Sequence, residues 1–201
     1  MPVAETIPYP WPYDDDAGLV PSRCALVIVG LQERWRALDT DSAVERIVEL
    51  ARVLRTRGVL VVHVRHARLP WRRRPGADLP DVGDPGVAPL LAPAAPDLVV
   101  DASTHDGFLD TTLDAQLRAH GRDHLVLVVF AAETLLDSTL RSANDRGYEC
   151  LTLHDLAIPF NPATGERALA SITMSGGIFG AIGSTDAVVA ALGVPQEEHT
   201  P

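Results

Sequence analysis

The chain has 201 residues, a formal net charge of −10 at pH 7 and a pI near 5.0. This acidic balance argues against nucleic acid and anionic membrane as partners, because both require a basic face. All 17 basic residues are arginine, which excludes Schiff-base and lysine-base mechanisms. The length predicts a single domain with a sizeable core.

The amino-terminal segment predicts an extended arm over residues 1–22 that packs on a domain of residues 23–201, because it is rich in proline, aromatic residues and aspartate. It lacks the basic start and apolar core of a signal peptide. No apolar run approaches the ~20 residues of a membrane span. Cys24 and Cys150 lie at the edges of or within apolar runs, so we expect buried thiols and a cytoplasmic protein rather than a disulfide framework.

Strands and helices are predicted to alternate along the domain. In chain order, the patterns predict a strand (24–32), a helix (43–58), a strand (59–65), a long proline-rich loop (66–97), a strand (97–101), a helix (112–121), a strand (124–131), a helix (about 134–146), a strand (148–155), a helix (165–174), a glycine-rich strand or turn (176–184) and a helix (185–193). Most of these strands are continuously apolar, which is typical of a parallel sheet covered by helices on both faces. The predicted fold class is therefore α/β, a three-layer α/β/α sandwich.

One basic cluster lies in the predicted loop. Arg68, Arg72, Arg73 and Arg74 stand beside Trp71 in a stretch rich in proline and glycine. Such a cluster is either a solvated loop or a lid that contacts an anion, and the pattern leaves both open.

The most informative stretch lies between a strand and a helix. An apolar run ends near Ala132, and a helical pattern begins at Glu133-Thr134. A strand that turns sharply into a helix is a common place for a nucleophile or a bound anion, yet Leu135 occupies the first pocket-facing position. The chain has no GxGxxG, P-loop, CxxC or HExxH motif and no cluster with metal-ligand spacing, so we expect neither a cofactor nor a metal.

Several quoted stretches resemble one family. Residues 121–155, GRDHLVLVVFAAETLLDSTLRSANDRGYECLTLHD, resemble without gaps the nucleophile segment of the isochorismatase-like cysteine hydrolases. ALVIVGLQ (25–32) is similar to the family's first strand, A-L-L-V-I-D-M-Q, and VVDASTHDGF (99–108) to its V-I-D-K-x-x-x-x-x-F segment. YPWPYDDD (9–16) and SITMSGGIFGAIGSTDAVVAAL (171–192) resemble its terminal segments, with the biuret hydrolase and N-carbamoylsarcosine amidase type most similar.

The resemblance carries expectations about fold and assembly. It implies a parallel sheet in the order 3-2-1-4-5-6 and a homo-oligomer, either a dimer or a tetramer. It also implies a cis peptide bond between Phe130 and Ala131 if the chain still uses the helix N-terminus to hold a ligand.

The resemblance also shows which reactive groups are missing. Family members use an aspartate after the first strand, a lysine after the third and a cysteine at the helix N-terminus, and these positions hold Gly30, Ala102 and Leu135. Leucine forms no thioester, glycine accepts no proton and alanine carries no charge. We therefore expect the inherited amide hydrolysis to be lost.

Other polar residues near this edge are candidate substitutes. Glu133 could act as an acid or base or could only favour the helix dipole. His63 could be a base or a satisfied core histidine, and His105 could act in the site or pair with its neighbour in solvent. The residues expected to contact a small ligand are Gln32, Trp35, Arg65, Phe108, Phe130, Ala131 and Ser175. Arg65 has the alternative of a structural ion pair.

Two kinds of function follow from this pattern. In the first, which the pattern favours, the chain is a divergent enzyme that acts non-hydrolytically on a small metabolite in a biosynthetic pathway, by cyclisation, isomerisation or elimination. In the second, it is a pseudoenzyme that binds a small molecule or serves as the non-catalytic partner of an active relative. An open pocket with a perturbed acid or base would favour the first, and a pocket filled by Leu135, Trp35 and Phe108 would favour the second.

Overall fold

A computed structural model describes residues 4–13, 18–38, 42–66 and 91–192, except the side chains of Arg34 and Ser175. Strands and α-helices alternate along these residues. They are β1 (Cys24–Val29), α1 (Ala43–Thr56), β2 (Leu60–His66), β3 (Leu98–Ala102), α2 (Leu113–Ala119), β4 (His124–Phe130), α3 (Ala132–Asp145), β5 (Glu149–Ile158), α4 (Pro162–Gly177), β6 (Ala181–Gly183) and α5 (Thr185–Ala191). Short 3-10 helices span Pro21–Arg23 and Glu33–Leu38.

The strands form one parallel sheet in the order β3-β2-β1-β4-β5-β6. This confirms the predicted parallel sheet and its order. In the centre, Ile28 of β1 pairs with His63 of β2 on one side and with Val128 of β4 on the other. The order reverses between β1 and β4, and the carboxyl ends of these two strands therefore flank the crevice where ligands bind in such sheets.

Each face of the sheet packs against its own set of helices. One core contains Ile47 and Leu54 of α1 together with Val188 of α5. The other contains Leu117 of α2 and Leu140 of α3. All residues of β1 and β4 are buried, which explains why their sequences are continuously apolar rather than alternating.

Several predicted boundaries differ from the observed ones for identifiable reasons. β1 ends at Val29 because Gly30 adopts a left-handed conformation, with φ of 72°. α4 begins at Pro162 rather than at 165, because the side chain of Asn161 caps it by accepting a hydrogen bond from the N–H of Ala163. Proline at the first helical position after an asparagine cap is favoured, and the apolar spacing alone missed this start.

The described part of the amino-terminal segment lies against the edge of the sheet. Ile7 exchanges two backbone hydrogen bonds with Ile182 of β6, at 3.0 and 2.9 Å. Trp11 is completely buried. The segment thus covers an edge strand whose unpaired backbone groups would otherwise face solvent. The division at residues 22 and 23 stays a prediction.

The basic cluster, Arg68, Arg72, Arg73 and Arg74 with Trp71, lies outside the described residues. Among the residues that the structure describes, no helix has both the length and the apolar character needed to cross a membrane.

Candidate functional site

The turn between β4 and α3 has the geometry of a nucleophile or anion site. Ala131 is buried and left-handed, with φ of 58° and ψ of 51°, and α3 starts at the next residue. Its carbonyl accepts hydrogen bonds from the N–H groups of Thr134 and Leu135, at 3.0 and 3.1 Å. A residue with a Cβ in this conformation costs about 1–2 kcal/mol, so the turn is held by its surroundings rather than by local preference.

The peptide bond entering this turn is trans. Among the described residues, the cis bonds all precede prolines, at Ile7–Pro8, Trp11–Pro12 and Ala95–Pro96. The cis bond between Phe130 and Ala131, which was expected only if the helix N-terminus still holds a ligand, is therefore not present.

The space in front of the turn is filled by Leu135. A Cβ added at Gly30 would lie 2.5 Å from Cδ1 of Leu135 and 3.6 Å from Nε1 of Trp35. A separation below 3 Å is not tolerated between carbon atoms without displacement. A side chain at position 30 would therefore require the end of Leu135 to move, and φ of 72° adds backbone strain for a residue with a Cβ.

The third degenerate position belongs to the same apolar core. Ala102 ends β3 and is fully buried, as is Leu135 in the first turn of α3. Phe108 is 3 % exposed and packs in this core, where its ring centroid lies 5.6 Å from that of Tyr148. The structure thus brings Gly30, Ala102 and Leu135 to the carboxyl edge of the sheet, in apolar surroundings.

Two aromatic rings cover the filled space. Trp35 belongs to the 3-10 helix after β1 and packs against the cores on both faces of the sheet. The ring of Phe160, in the loop between β5 and α4, meets it edge-on with a centroid distance of 5.0 Å. Edge-to-face contacts of this kind contribute about 0.5–1.5 kcal/mol beyond burial. The loop after β5 therefore acts as a cover over position 30.

Glu133 fastens this cover. Its carboxylate accepts hydrogen bonds from the N–H groups of Phe160 and Asn161, both at 2.9 Å, and from the hydroxyl of Thr164 at 2.6 Å. Partial burial opposes ionisation, but the hydrogen bonds from Thr164, Asn161 and Phe160 outweigh it and lower the pKa of Glu133. We call Glu133, Phe160, Asn161 and Thr164 the latch. The carboxylate is committed to the loop and is stabilised in its charged form.

His63 is tied to a different part of the molecule. Its Nε2 lies 3.0 Å from Oδ2 of Asp97, and Asp97 also pairs with Arg55 of α1 at 2.6 and 2.7 Å. Burial lowers the pKa of His63, against the opposing effect of Asp97. Asp97 precedes β3, so this network joins α1 to the amino end of that strand and lies away from the turn at Ala131.

The remaining candidates hold the strand ends together. Gln32 is fully buried, and its Oε1 accepts a hydrogen bond from the N–H of His66 at 2.8 Å. Arg65 forms a bidentate ion pair with its cross-strand neighbour Asp101, with both bonds at 2.8 Å. For His105, which follows β3, burial lowers the pKa.

The structure separates two candidates that the sequence grouped. Phe130 is fully buried with the α1-side core, whereas Ala131 belongs to the α3-side core. The phenylalanine ring therefore lies on the opposite face of the sheet from Leu135. The side chain of Ser175 lies outside the described residues.

Sequence reasoning missed the latch and the Asp97 network. The pattern Asn161-Pro162 could have indicated a helix start beyond β5, but pairing it with Glu133 requires the fold. Among the described residues, no group of three or more His, Cys, Asp or Glu side chains is placed to hold a metal ion.

Comparison with known proteins decides the family. The family model described as the isochorismatase domain matches residues 24–186. The chain belongs to the isochorismatase family. The match runs from the first residue of β1 into α5, so it includes the turn at Ala131 and all three degenerate positions.

Two curated relatives of this chain are named ureidoacrylate amidohydrolase. The chain is 33 % identical over 138 residues to ureidoacrylate amidohydrolase RutB of Methylobacterium radiotolerans, covering 66 % of this chain and 52 % of that protein. It is 28 % identical over 184 residues to the protein of the same name from Variovorax paradoxus, covering 73 % of each. The first match thus spans about half the length of that relative.

Solved structures show the same fold. An isochorismatase family protein from Burkholderia thailandensis superposes with a TM-score of 0.73 at 25 % identity, over 86 % of this chain and 96 % of that one. A cysteine hydrolase from Pseudomonas syringae gives a TM-score of 0.69 at 22 % identity, over 96 % of this chain and 98 % of that one. N-carbamoylsarcosine amidase from Thermoplasma acidophilum gives 0.66 at 23 % identity, over 82 % and 97 %.

Proposed function

We propose that this chain is a non-catalytic member of the isochorismatase family, which binds a small molecule without transforming it. The observation that carries the proposal is that the fully buried Leu135 occupies the first turn of α3, beside Gly30, where a nucleophile would stand. A covalent amidase needs a nucleophile, a base and room for the substrate carbonyl between them. At the equivalent positions this chain has a leucine and a glycine, and neither side chain can act as a nucleophile or a base.

The cover supports the same proposal. Trp35 and Phe160 close the space from outside, and the latch at Glu133 fixes Phe160. An inherited turn that remains strained at Ala131 but faces a leucine is typical of a fold retained without its reaction.

A divergent, non-hydrolytic enzyme receives less support. Such an enzyme needs an acid or base within reach of a substrate. Of the three candidate substitutes, Glu133 is committed to the latch and His63 to Asp97. Burial lowers the pKa of His105, which favours its neutral form.

The cysteines offer no replacement nucleophile. Cys150 is fully buried in β5, and burial raises the pKa of its thiol. Cys24 is 2 % exposed, and its Sγ lies 3.2 Å from the carbonyl of Val20. A thiolate is the reactive form of cysteine, so burial disfavours the reactive form of Cys150, and neither cysteine lies at the turn between β4 and α3.

The proposal is tested by an activity assay with a working relative beside it. The purified full chain is incubated with ureidoacrylate, biuret, N-carbamoylsarcosine, nicotinamide and isochorismate, and ammonia or the expected product is measured. The ureidoacrylate amidohydrolase of Variovorax paradoxus serves as the positive control. We expect no turnover by this chain. Saturable hydrolysis of any of these compounds would overturn the proposal, and its loss after alkylation of Cys24 or Cys150 would identify a cysteine as the nucleophile.

A further inference from the structure

An open cavity lies at the β6 edge of the sheet, on the opposite side of the sheet from β3. It has a volume of about 340 Å³ and is lined by residues 5–7 of the amino-terminal segment, by His154 of β5 and by residues 182–184 at the end of β6. The carboxyl ends of parallel strands are where ligands bind in α/β sheets. A water molecule occupies ~30 Å³ of liquid, so this space matches about ten waters or one small metabolite.

The wall of this cavity is fixed by the chain itself. The double hydrogen bond between Ile7 and Ile182 holds the amino-terminal segment along β6, and Trp11 anchors it with no exposed surface. Gly183 permits the close approach, because a Cβ there would lie 2.6 Å from Cγ2 of Thr6. The cavity therefore exists before a ligand arrives, which reduces the ordering cost of binding.

An irregularity in β5 places His154 at the cavity. Between the pairs Leu127–Thr152 and Val129–Ala157, a step of two residues along β4 matches a step of five along β5. Bulges of this kind re-aim side chains and are frequent beside functional sites. Asp155 holds the bulge, since its Oδ1 accepts a hydrogen bond from the N–H of Thr185 at 3.1 Å.

Two polar side chains that line the cavity, Glu5 and His154, are available to bind a ligand. The hydroxyl of Ser184 already accepts the N–H of Ala187, and that of Thr6 donates to the carbonyl of Tyr9. Within the part of the chain that the structure describes, neither Glu5 nor His154 makes a hydrogen bond or an ion pair, and both are exposed. The lining thus offers a carboxylate and an imidazole beside the apolar side chains of residues 7 and 182.

We propose that this cavity binds a small aliphatic amine in its ammonium form. The ammonium group would donate to the carboxylate of Glu5 and to the imidazole of His154, and the hydrocarbon would contact Ile7 and Ile182. The net charge of −10 attracts cations to the molecule as a whole. This inference rests on the proposed function, because it names the place and the chemical class of the ligand.

The test uses the full chain labelled with ¹⁵N and n-butylammonium as the probe. We expect saturable chemical-shift changes in the millimolar range at the N–H groups of Ile7 and Ile182, whose hydrogen bonds border the cavity. n-Butanol and butyrate, matched in size, should give no saturable change. Glu5→Gln should raise the Kd about tenfold or more, whereas Glu45→Gln on the exposed surface of α1 should leave it unchanged.

The results of the binding test decide the amine site independently of the proposed lack of catalysis. Absence of saturable shifts, equal binding of butanol or butyrate, or an equal loss in both glutamine variants would overturn the amine site. In each of those cases the hydrolysis assay still decides whether the chain is non-catalytic. Binding that saturates and depends on Glu5 would support the site even if a hydrolytic activity were found elsewhere.

Discussion

Gly30 and Leu135 compete for the same volume at the carboxyl edge of the sheet. The glycine supplies a left-handed backbone at φ of 72° and leaves the space that Cδ1 of Leu135 occupies. Gly58 is a natural comparison, because it has φ of 84° and no atom within 4 Å of an added Cβ. Alanine at either position would therefore carry a similar backbone cost, but only alanine at position 30 would also meet Leu135.

This difference predicts unequal stability losses. Gly30→Ala should lower the free energy of unfolding by about 1–2 kcal/mol for the backbone and by about 1–3 kcal/mol more for overpacking. Gly58→Ala should show only the first loss. Urea unfolding of both variants at pH 7 measures the difference. If the two variants lose equal stability, Leu135 does not fill the space in front of Gly30.

Leu135→Cys should not restore amide hydrolysis. The new thiol would lie in a fully buried position with no carboxylate at 30 and no cation at 102, so it should remain largely protonated. Ammonia release should stay at background, and iodoacetamide at pH 7 should modify the folded variant far more slowly than the same variant in urea. Rapid alkylation of the folded protein would contradict this account of the site.

At the level of elements, the latch joins the start of α3 to the start of α4. The carboxylate of Glu133 bonds to three groups of residues 160–164, and a glutamine amide could accept from fewer of them. Glu133→Gln should lower the free energy of unfolding by about 1 kcal/mol at pH 7. Glu166→Gln, at an exposed position of α4, is the matched control and should have little effect.

The latch should also depend on pH in a defined direction. Because the pKa of Glu133 is lowered in the folded protein, its contribution is present above the unfolded pKa near ~4.3 and is lost as pH falls through the folded pKa. The stability difference between the native chain and Glu133→Gln should therefore shrink between neutral pH and pH below about 4. A difference that is constant over this window would show that the charge of Glu133 is irrelevant to the latch.

The Asp97 network ties α1 to β3 through buried charge. The side chain of Asp97 is 1 % exposed and contacts both Arg55 and His63, so Asp97→Asn leaves a largely buried guanidinium without its counter-charge. The loss should be about 2–4 kcal/mol. Glu49→Gln breaks the exposed pair with Arg52 and should cost no more than about 0.5 kcal/mol. Urea unfolding of the two variants provides the comparison, and similar losses would contradict a buried structural role.

The sequence predicted the elements better than the site. Continuous apolar runs such as β1 and β4 are decided by burial on both faces, and a periodic pattern reports burial directly. The state of the pocket depends on residues distant in sequence, since the clash at Gly30 involves Leu135 and the latch at Glu133 involves residue 164. Such contacts leave no local pattern, so the sequence indicated which groups were missing but not what had filled their place.

At the level of the whole molecule, exposed apolar side chains bear on the predicted homo-oligomer. In the amino-terminal segment Trp11 is buried within its own chain, whereas Ile7 is 59 % exposed. Exposed apolar side chains also occur on and after α4, where Met174 is 52 % and Ile178 is 62 % exposed. Gly176 and Gly177, both with positive φ, separate these two residues. Exposed apolar side chains that lie together on a surface are a common part of subunit interfaces.

We therefore expect the chain to form dimers or larger assemblies in solution through this end of α4. Sedimentation velocity at micromolar concentration should show a species of at least twice the 21.6 kDa chain mass. The double variant Met174→Glu/Ile178→Glu places two charges on the surface and should raise the dissociation constant by about a hundredfold or more. Val48→Glu, on α1 across the sheet and 38 % exposed, should leave assembly unchanged. A native chain that sediments only as a monomer would refute the oligomer, and a double variant that still assembles would place the interface elsewhere.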